Sequence, residues 1–116
     1  MRILLILNDS PSASRRSQTA LQIGTALSQD YRCMVRAFLV GDAVACCKVS
    51  PDTASSSSDT RAEMERMIMN GVPVGVCGVS MDANGITDAE LPNDAHRSTT
   101  AVLSDWVTWA NKVMVF

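Results

Sequence analysis

The sequence predicts one α/β domain with an open, mostly parallel sheet and helices on both faces. Short apolar runs alternate with segments of helical period along the 116 residues. Such strand–helix alternation is typical of parallel sheets covered by helices. A chain of this length fits one domain, spanning residues 1–116, and leaves little room for a second.

The first half of the chain contains two predicted strand–helix pairs. A continuous apolar run at residues 3–7 ends in turn-forming residues, which indicates a strand buried on both faces. Residues 14–28 have the period of an amphipathic helix. A second apolar run covers residues 33–40, and we expect Asp42 to cap a short helix over residues 43–48.

The middle of the chain holds a serine-rich segment, followed by another helix and strand. Residues 50–59 include four successive serines, which predict a flexible loop. Residues 60–70 return to a helical period, and Gly71 is well placed just beyond the helix end. The valine-rich run at residues 72–77 predicts the third strand.

The last part of the chain predicts a final helix and strand. Residues 78–85 have the composition of a turn-rich loop that can include a helical turn, and a short helix is expected after Thr87. Residues 98–111 predict the last helix, and residues 112–116 predict the last strand.

Ligands of open parallel sheets bind beyond the carboxyl ends of the strands. Three predicted loops share that edge: Asn8-Asp9-Ser10, Gly41-Asp42 and Cys77-Gly78-Val79-Ser80. A thiol in the last of these loops can face the amides of a helix beginning, which favours a nucleophilic thiolate. The competing interpretation is that Cys77 only packs in the core as a small apolar residue.

The other three cysteines are expected to serve packing. Cys33 begins the second strand at the opposite edge of the sheet. Cys46 and Cys47 lie in the short helix, so one should point inward and the other outward. A role for Cys46 or Cys47 as a resolving thiol stays open, because their helix begins at the functional edge.

Several function classes conflict with the composition. A formal charge of −2 argues against a nucleic-acid binder held by bulk charge. No phosphate-loop motif is present, so no nucleotide cofactor is expected. With His96 as the sole histidine and no C-x-x-C, we expect no metal site. No apolar run approaches the ~20 residues of a membrane span, and we expect a reduced, cytoplasmic protein.

The segment at residues 74–86, VGVCGVSMDANGI, resembles the cysteine loop of the DsrE/YchN-like family. Three further segments resemble that family in register, at residues 3–9, 38–44 and 104–116. The resemblance implies a fold of the flavodoxin-like general type and homo-oligomers, commonly trimers or hexamers. Related branches of the family carry sulfur as a cysteine persulfide, and the matching cysteine is Cys77.

The resemblance implies a sulfur relay, either a sulfurtransferase or a carrier, with sulfur-donor and sulfur-acceptor proteins as partners. Many YchN-like proteins have C-G-x-C in this loop, but Ser80 replaces the second cysteine here. A handoff between positions 77 and 80 is therefore excluded, whereas a single-thiol relay is not. The expected pocket or orienting residues are Asn8, Asp9, Asp42, Gly78 and Ser80.

Two alternative functions remain open at this point. The chain could be a non-catalytic module that binds a small ligand or assembles with a protein. It could also be a thiol redox sensor that pairs Cys77 with Cys46 or Cys47.

Overall fold

The computed structural model describes residues 1–48 and 56–116. The described chain forms five strands: β1 (Arg2–Leu7), β2 (Met34–Leu39), β3 (Val74–Cys77), β4 (Ala95–Ser98) and β5 (Lys112–Val115). Its α-helices are α1 (Arg16–Ser28), α2 (Ser56–Met69), α3 (Gly78–Ala83) and α4 (Thr100–Trp109). Two 3-10 helices span Gly41–Cys47 and Asp88–Glu90.

The strands form one open sheet in the order β4-β3-β2-β1-β5. All four neighbouring pairs are parallel, which confirms the predicted α/β class. The carboxyl ends of the strands therefore meet at one edge. The loops after β1, β2 and β3 begin there, as predicted.

The two faces of the sheet are covered unequally. The larger core includes Leu5 and Leu7 of β1, together with buried residues of α1, α2 and the first 3-10 helix. Among the described residues, the opposite face buries only Leu4, Phe38 and Cys77, against partly buried residues of α4. No residue of α4 is itself buried, although this helix is rich in apolar side chains.

Aromatic packing fixes α4 on its face of the sheet. The rings of Phe38 and Trp106 meet edge to face, with their centroids 5.8 Å apart. The Arg36 guanidinium carbon lies 4.0 Å from the ring centroid of Trp109. A Cβ at Gly75 would come within 2.7 Å of the Phe38 ring, so glycine permits this close approach.

Strand β4 was not predicted from the sequence. Its four residues read AHRS, and His96 and Arg97 are exposed. The strand pairs on one side only, at the edge of the sheet. Because only Ala95 of its four residues is buried, the strand has no apolar run by which it could be recognised in the sequence.

Other boundaries also differ from the predictions. The 3-10 helix begins at Gly41 after Val40, and no side chain caps it, so the predicted Asp42 cap was wrong. Gly41 has a φ of +56°, a left-handed conformation that glycine adopts readily, where the chain turns from β2 into this helix. Residues 56–59 of the predicted loop belong to α2, whereas residues 50–55 lie outside the described residues. The helical turn allowed within the predicted loop at residues 78–85 is α3, which spans Gly78–Ala83.

Candidate functional site

Cys77 lies at the junction between β3 and α3. It is the last residue of the strand and the N-cap of the helix, with extended backbone angles. Its side chain points to the α4 face, beside Leu4 and Phe38, and is 5% exposed. The thiol therefore sits at the edge of the core, where a parallel sheet binds its ligands.

The pKa of the Cys77 thiol is lowered from its ordinary value. Burial is the largest single influence and acts in the opposite direction, since it disfavours the charged form. The Ser80 hydroxyl and the N–H groups of Ser80 and Val79 together outweigh it. These contacts are looser than a standard helix cap, because no side-chain capping bond closes at Cys77. The surroundings nevertheless favour a thiolate.

Ser80 connects the cysteine loop to the end of β2. Its Oγ accepts a hydrogen bond from the Gly41 N–H at 2.9 Å. Asn84 Nδ2 donates to the Ser80 carbonyl at 2.9 Å, which holds the last turn of α3. The Ser80 hydroxyl is thus fixed between two loops of the functional edge.

A cleft of about 430 Å³ opens beside Cys77. Its walls are Cys77, Gly78, Val79 and Asp82 on one side and Arg97, Ser98, Thr99 and Thr100 on the other. Thr99 caps α4, and its side chain accepts a hydrogen bond from the Val102 N–H at 3.3 Å. The beginnings of α3 and α4 therefore both border the cleft.

Arg97 ties β4 to α3 along the cleft wall. Its Nε donates to Asp88 Oδ1 at 2.6 Å, and its Nη2 donates to Asp82 Oδ1 at 3.2 Å. Its Nη1 also donates to the Gly78 carbonyl at 3.2 Å. The carboxylates of Asp88 and Asp82 raise the pKa of Arg97. The guanidinium on the cleft wall is therefore matched by two carboxylates.

The sequence prediction missed Arg97. Its partners lie 9 and 15 residues away along the chain, and its strand was not recognised. The only local signal is the Ser-Thr-Thr that follows it, which is typical of a helix beginning.

The predicted residues after β1 have structural contacts away from the cleft. The Asn8 N–H and Nδ2 both donate to the Phe116 carbonyl, at 2.8 and 3.2 Å. Ser14 Oγ donates to Asp9 Oδ2 at 2.8 Å, and Ser17 Oγ donates to the Asp9 carbonyl at 2.6 Å. These bonds join β1 to the chain end and hold the turn into α1.

The six predicted site residues therefore divide into two sets. Cys77, Gly78 and Ser80 come together at the beginning of α3. Asn8, Asp9 and Asp42 belong to the other two loops; like Ser80 they are not in the cleft lining, and Asp42 is exposed in the first turn of the 3-10 helix.

Cys46 and Cys47 are both fully buried, so the prediction that one points outward was wrong. Their 3-10 helix contacts both α2 and α3, and these neighbours leave neither thiol facing solvent. Burial first, and then the neighbouring Cys47, raises the pKa of Cys46 to about 12. Burial also raises the pKa of Cys47 to about 12, with Glu90 adding to it and Arg61 opposing it.

Cys33 and His96 lie elsewhere. Cys33 directly precedes β2 at the opposite edge and is half-buried. His96 is exposed on β4. Among residues 1–48 and 56–116, no three His, Cys, Asp or Glu side chains are grouped to hold a metal ion. No helix in these ranges is long and apolar enough to cross a membrane.

Known proteins similar to this chain share its full length. Protein YchN of Escherichia coli K12 is 26% identical over 116 residues, covering 99% of this chain and 98% of that protein. Protein YchN of Shigella flexneri matches to the same extent.

Solved structures agree with this relationship. The crystal structure of the E. coli ychN protein superposes with a TM-score of 0.87 at 26% identity, covering 100% of this chain and 99% of the other. MTH1491 of Methanobacterium thermoautotrophicum, a protein of unknown function, gives a TM-score of 0.66 at 14% identity and shares the fold. It covers 99% of this chain and 97% of its own.

The family model for DsrE/DsrF-like proteins matches residues 1–116. The match takes in all five strands and the cysteine loop with its cleft. Sequence, fold and full-length coverage thus agree, and the chain belongs to the DsrE/DsrF-like family.

Proposed function

We propose that this protein carries sulfane sulfur as a persulfide on Cys77. The observation that carries the proposal is the Cys77 thiol, which borders the cleft and has a lowered pKa. A thiolate is the form that attacks the outer sulfur of a persulfide. The family is one in which the sulfur relay described above is plausible.

Each transfer step is an exchange between a thiolate and a persulfide. The Cys77 thiolate attacks the outer sulfur of a donor R–S–SH, and a new S–S bond forms as the donor's S–S bond breaks. The products are Cys77–S–SH and the donor thiolate R–S⁻. The reverse exchange with an acceptor thiolate returns Cys77 to its thiolate, so no external oxidant or reductant is needed.

The charge of the cleft favours a donor that is itself a persulfide. Arg97 is matched by Asp82 and Asp88, so this guanidinium does not offer an unpaired positive charge to a small sulfur oxyanion. Val79 on the cleft wall is 79% exposed and presents an apolar surface. These features support persulfide donors and thiol acceptors held by partner proteins, as expected for a relay in a reducing cytoplasm.

Mass spectrometry after incubation with polysulfide tests the proposal. We expect a gain of about 32 Da, the mass of one sulfur, on the peptide that contains Cys77. Cys77→Ser should abolish this gain. Cys33→Ser is the matched control, because Cys33 is half-buried at the opposite edge and its loss should leave loading intact. Loading that survives Cys77→Ser, or that occurs only on other cysteines, would contradict the proposal.

A non-catalytic binding or assembly module is the main alternative. The 5% exposure of Cys77 is the observation that favours it. Under this alternative the native thiol would be inert to both polysulfide and alkylating reagents. A redox sensor is less well supported, because burial and a pKa of about 12 keep Cys46 and Cys47 protonated.

We also propose that copies of this chain form a homo-oligomer, a trimer or hexamer. The apolar surface on the α4 side supports this: Val107 of α4 and Val113 and Val115 of β5 are 43%, 39% and 66% exposed. An adjoining subunit would remove these side chains from water. Sedimentation of the purified protein tests the proposal, and a monomer at micromolar concentration would contradict it.

A further inference from the structure

We propose that Ser80 is a positioning residue for Cys77, because the Gly41 N–H fixes its hydroxyl so that the hydroxyl proton is directed at the cysteine sulfur. The part that Ser80 plays in sulfur transfer rests on the function proposed above. The effect on the thiol itself can be measured separately.

Helix geometry places the two side chains together. Cys77 is the N-cap of α3, and Ser80 is the third residue of that helix. The side chain at the third position reaches back toward the N-cap residue, as it does in a capping box. In this protein a hydrogen bond from the Ser80 hydroxyl lowers the pKa of the Cys77 thiol. A capping box has a carboxylate or amide side chain at this third position, whereas Ser80 has a small hydroxyl that can donate a hydrogen bond.

The bond from Gly41 decides which way the hydroxyl acts. A serine hydroxyl has one proton to donate and two lone pairs to accept with. The Gly41 N–H occupies a lone pair of Ser80 Oγ at 2.9 Å. The hydroxyl proton is then free for the sulfur, which as a thiolate can only accept.

The position of Gly41 is held by the ends of two strands. The N–H of the preceding residue, Val40, donates to the Leu7 carbonyl at 3.0 Å. The Gly41 N–H lies in the peptide plane that follows Val40, so this extended residue directs it across the edge of the sheet to Ser80 of α3. The hydroxyl is therefore oriented by the sheet and not by α3 alone.

Such a hydrogen-bond donor would act in both steps of the proposed transfer, the loading of sulfur onto Cys77 and its release. It stabilises the Cys77 thiolate before attack. When an acceptor thiolate takes the outer sulfur from Cys77–S–SH, the bonding electrons return to the Cys77 sulfur, which is the leaving group. A stabilised leaving thiolate departs faster. Ser80 should therefore matter for loading and for release.

The test is the pH profile of Cys77 alkylation in the folded protein, followed by mass spectrometry. Ser80→Ala should move the profile to higher pH and slow alkylation at pH 7 about two- to tenfold, the worth of one hydrogen bond. Ser80→Thr keeps the hydroxyl and should restore the wild-type profile. Ser28→Ala is the matched control, because the Ser28 hydroxyl also makes a hydrogen bond within a helix, to the Thr25 carbonyl, but Ser28 lies on α1 and does not line the cleft. Its profile should not move.

An unshifted profile in Ser80→Ala, or an equal shift in Ser28→Ala, would overturn the inference. If Ser80→Ala does not fold, Ser80→Val and Ser80→Thr compare a methyl with a hydroxyl at nearly constant volume. Polysulfide loading of the wild type is measured in parallel. A shifted profile without loading would remove the sulfur-carrier function and keep the role of Ser80, whereas loading with an unshifted profile would do the reverse.

Discussion

The Cys46–Cys47 pair and Cys77 have similar positions in the fold and opposite chemistry. Cys46 and Cys47 lie in the 3-10 helix that follows β2, and Cys77 ends β3 and caps the beginning of α3, at the same edge of the sheet. All three thiols are nearly or fully buried. Yet the pKa of Cys77 is lowered, while burial raises the pKa of Cys46 and of Cys47 to about 12.

The comparison shows that burial alone does not decide the ionisation of these thiols. Cys77 occupies the N-cap of a helix, where amides and the Ser80 hydroxyl offer protons. Cys46 and Cys47 lie within and at the end of their 3-10 helix, packed against α2 and α3. Free N–H groups at a helix beginning favour an anion, and an apolar enclosure disfavours it.

The largest expected effect is the difference in native reactivity between the two regions. At pH 8 a thiol of pKa about 12 is ionised in only about one molecule in ten thousand. We therefore expect iodoacetamide to modify Cys77 about a hundred times faster than Cys46 or Cys47, or more, in the folded protein. Peptide mass spectrometry over time measures all three rates in one sample.

Unfolding the protein supplies the control for this difference. In urea the three thiols lose their surroundings, and their rates should converge to within about threefold. Comparable rates in the native state would mean that Cys77 is as enclosed as the pair, and the comparison would fail.

Most of the sheet could be predicted from the sequence because its strands are buried. The runs that became β1, β2 and β3 are almost continuously apolar, and such runs identify strands covered on both sides. In strand β4 only Ala95 is buried, so the strand leaves no apolar pattern in the sequence. An edge strand of this kind is defined by its pairing with β3, which is a property of the tertiary structure.

Only the part of the site that follows from the order and direction of the strands could be predicted from the sequence. Cys77 follows a recognisable strand, and the carboxyl edge of a parallel sheet selects it. The Gly41–Ser80 bond joins residues 39 positions apart, and nothing local to either residue indicates it. Cys46 and Cys47 were misjudged for a similar reason, because their burial depends on how α2 and α3 pack on the 3-10 helix.

In alkaline solution we expect a smaller difference between the two regions, in how their thiols affect the free energy of unfolding. Cys47 has an ordinary pKa of 9.0 and a folded pKa of about 12, so the unfolded chain loses this proton first as the pH rises. The stability that this thiol contributes is complete below pH 9 and is lost between about pH 9 and 12. The free energy of unfolding should fall by up to about 1.4 kcal/mol per pH unit for each such thiol.

Urea denaturation at pH 10 and pH 11 measures how steeply the free energy of unfolding falls with pH. Two variants show which cysteines cause this fall. Cys47→Ala removes one proton that the unfolded chain releases first, so its slope should be shallower than that of the wild type by about 1 kcal/mol per pH unit. Cys77→Ala should keep the wild-type slope. The lowered pKa of Cys77 gives stability that is present above the ordinary thiol pKa and is lost as the pH falls, so this thiol is already ionised in both states at pH 10. Equal slopes in the two variants would mean that their surroundings do not distinguish these cysteines, whereas a shallower slope in Cys47→Ala alone ties the difference to enclosure by the core.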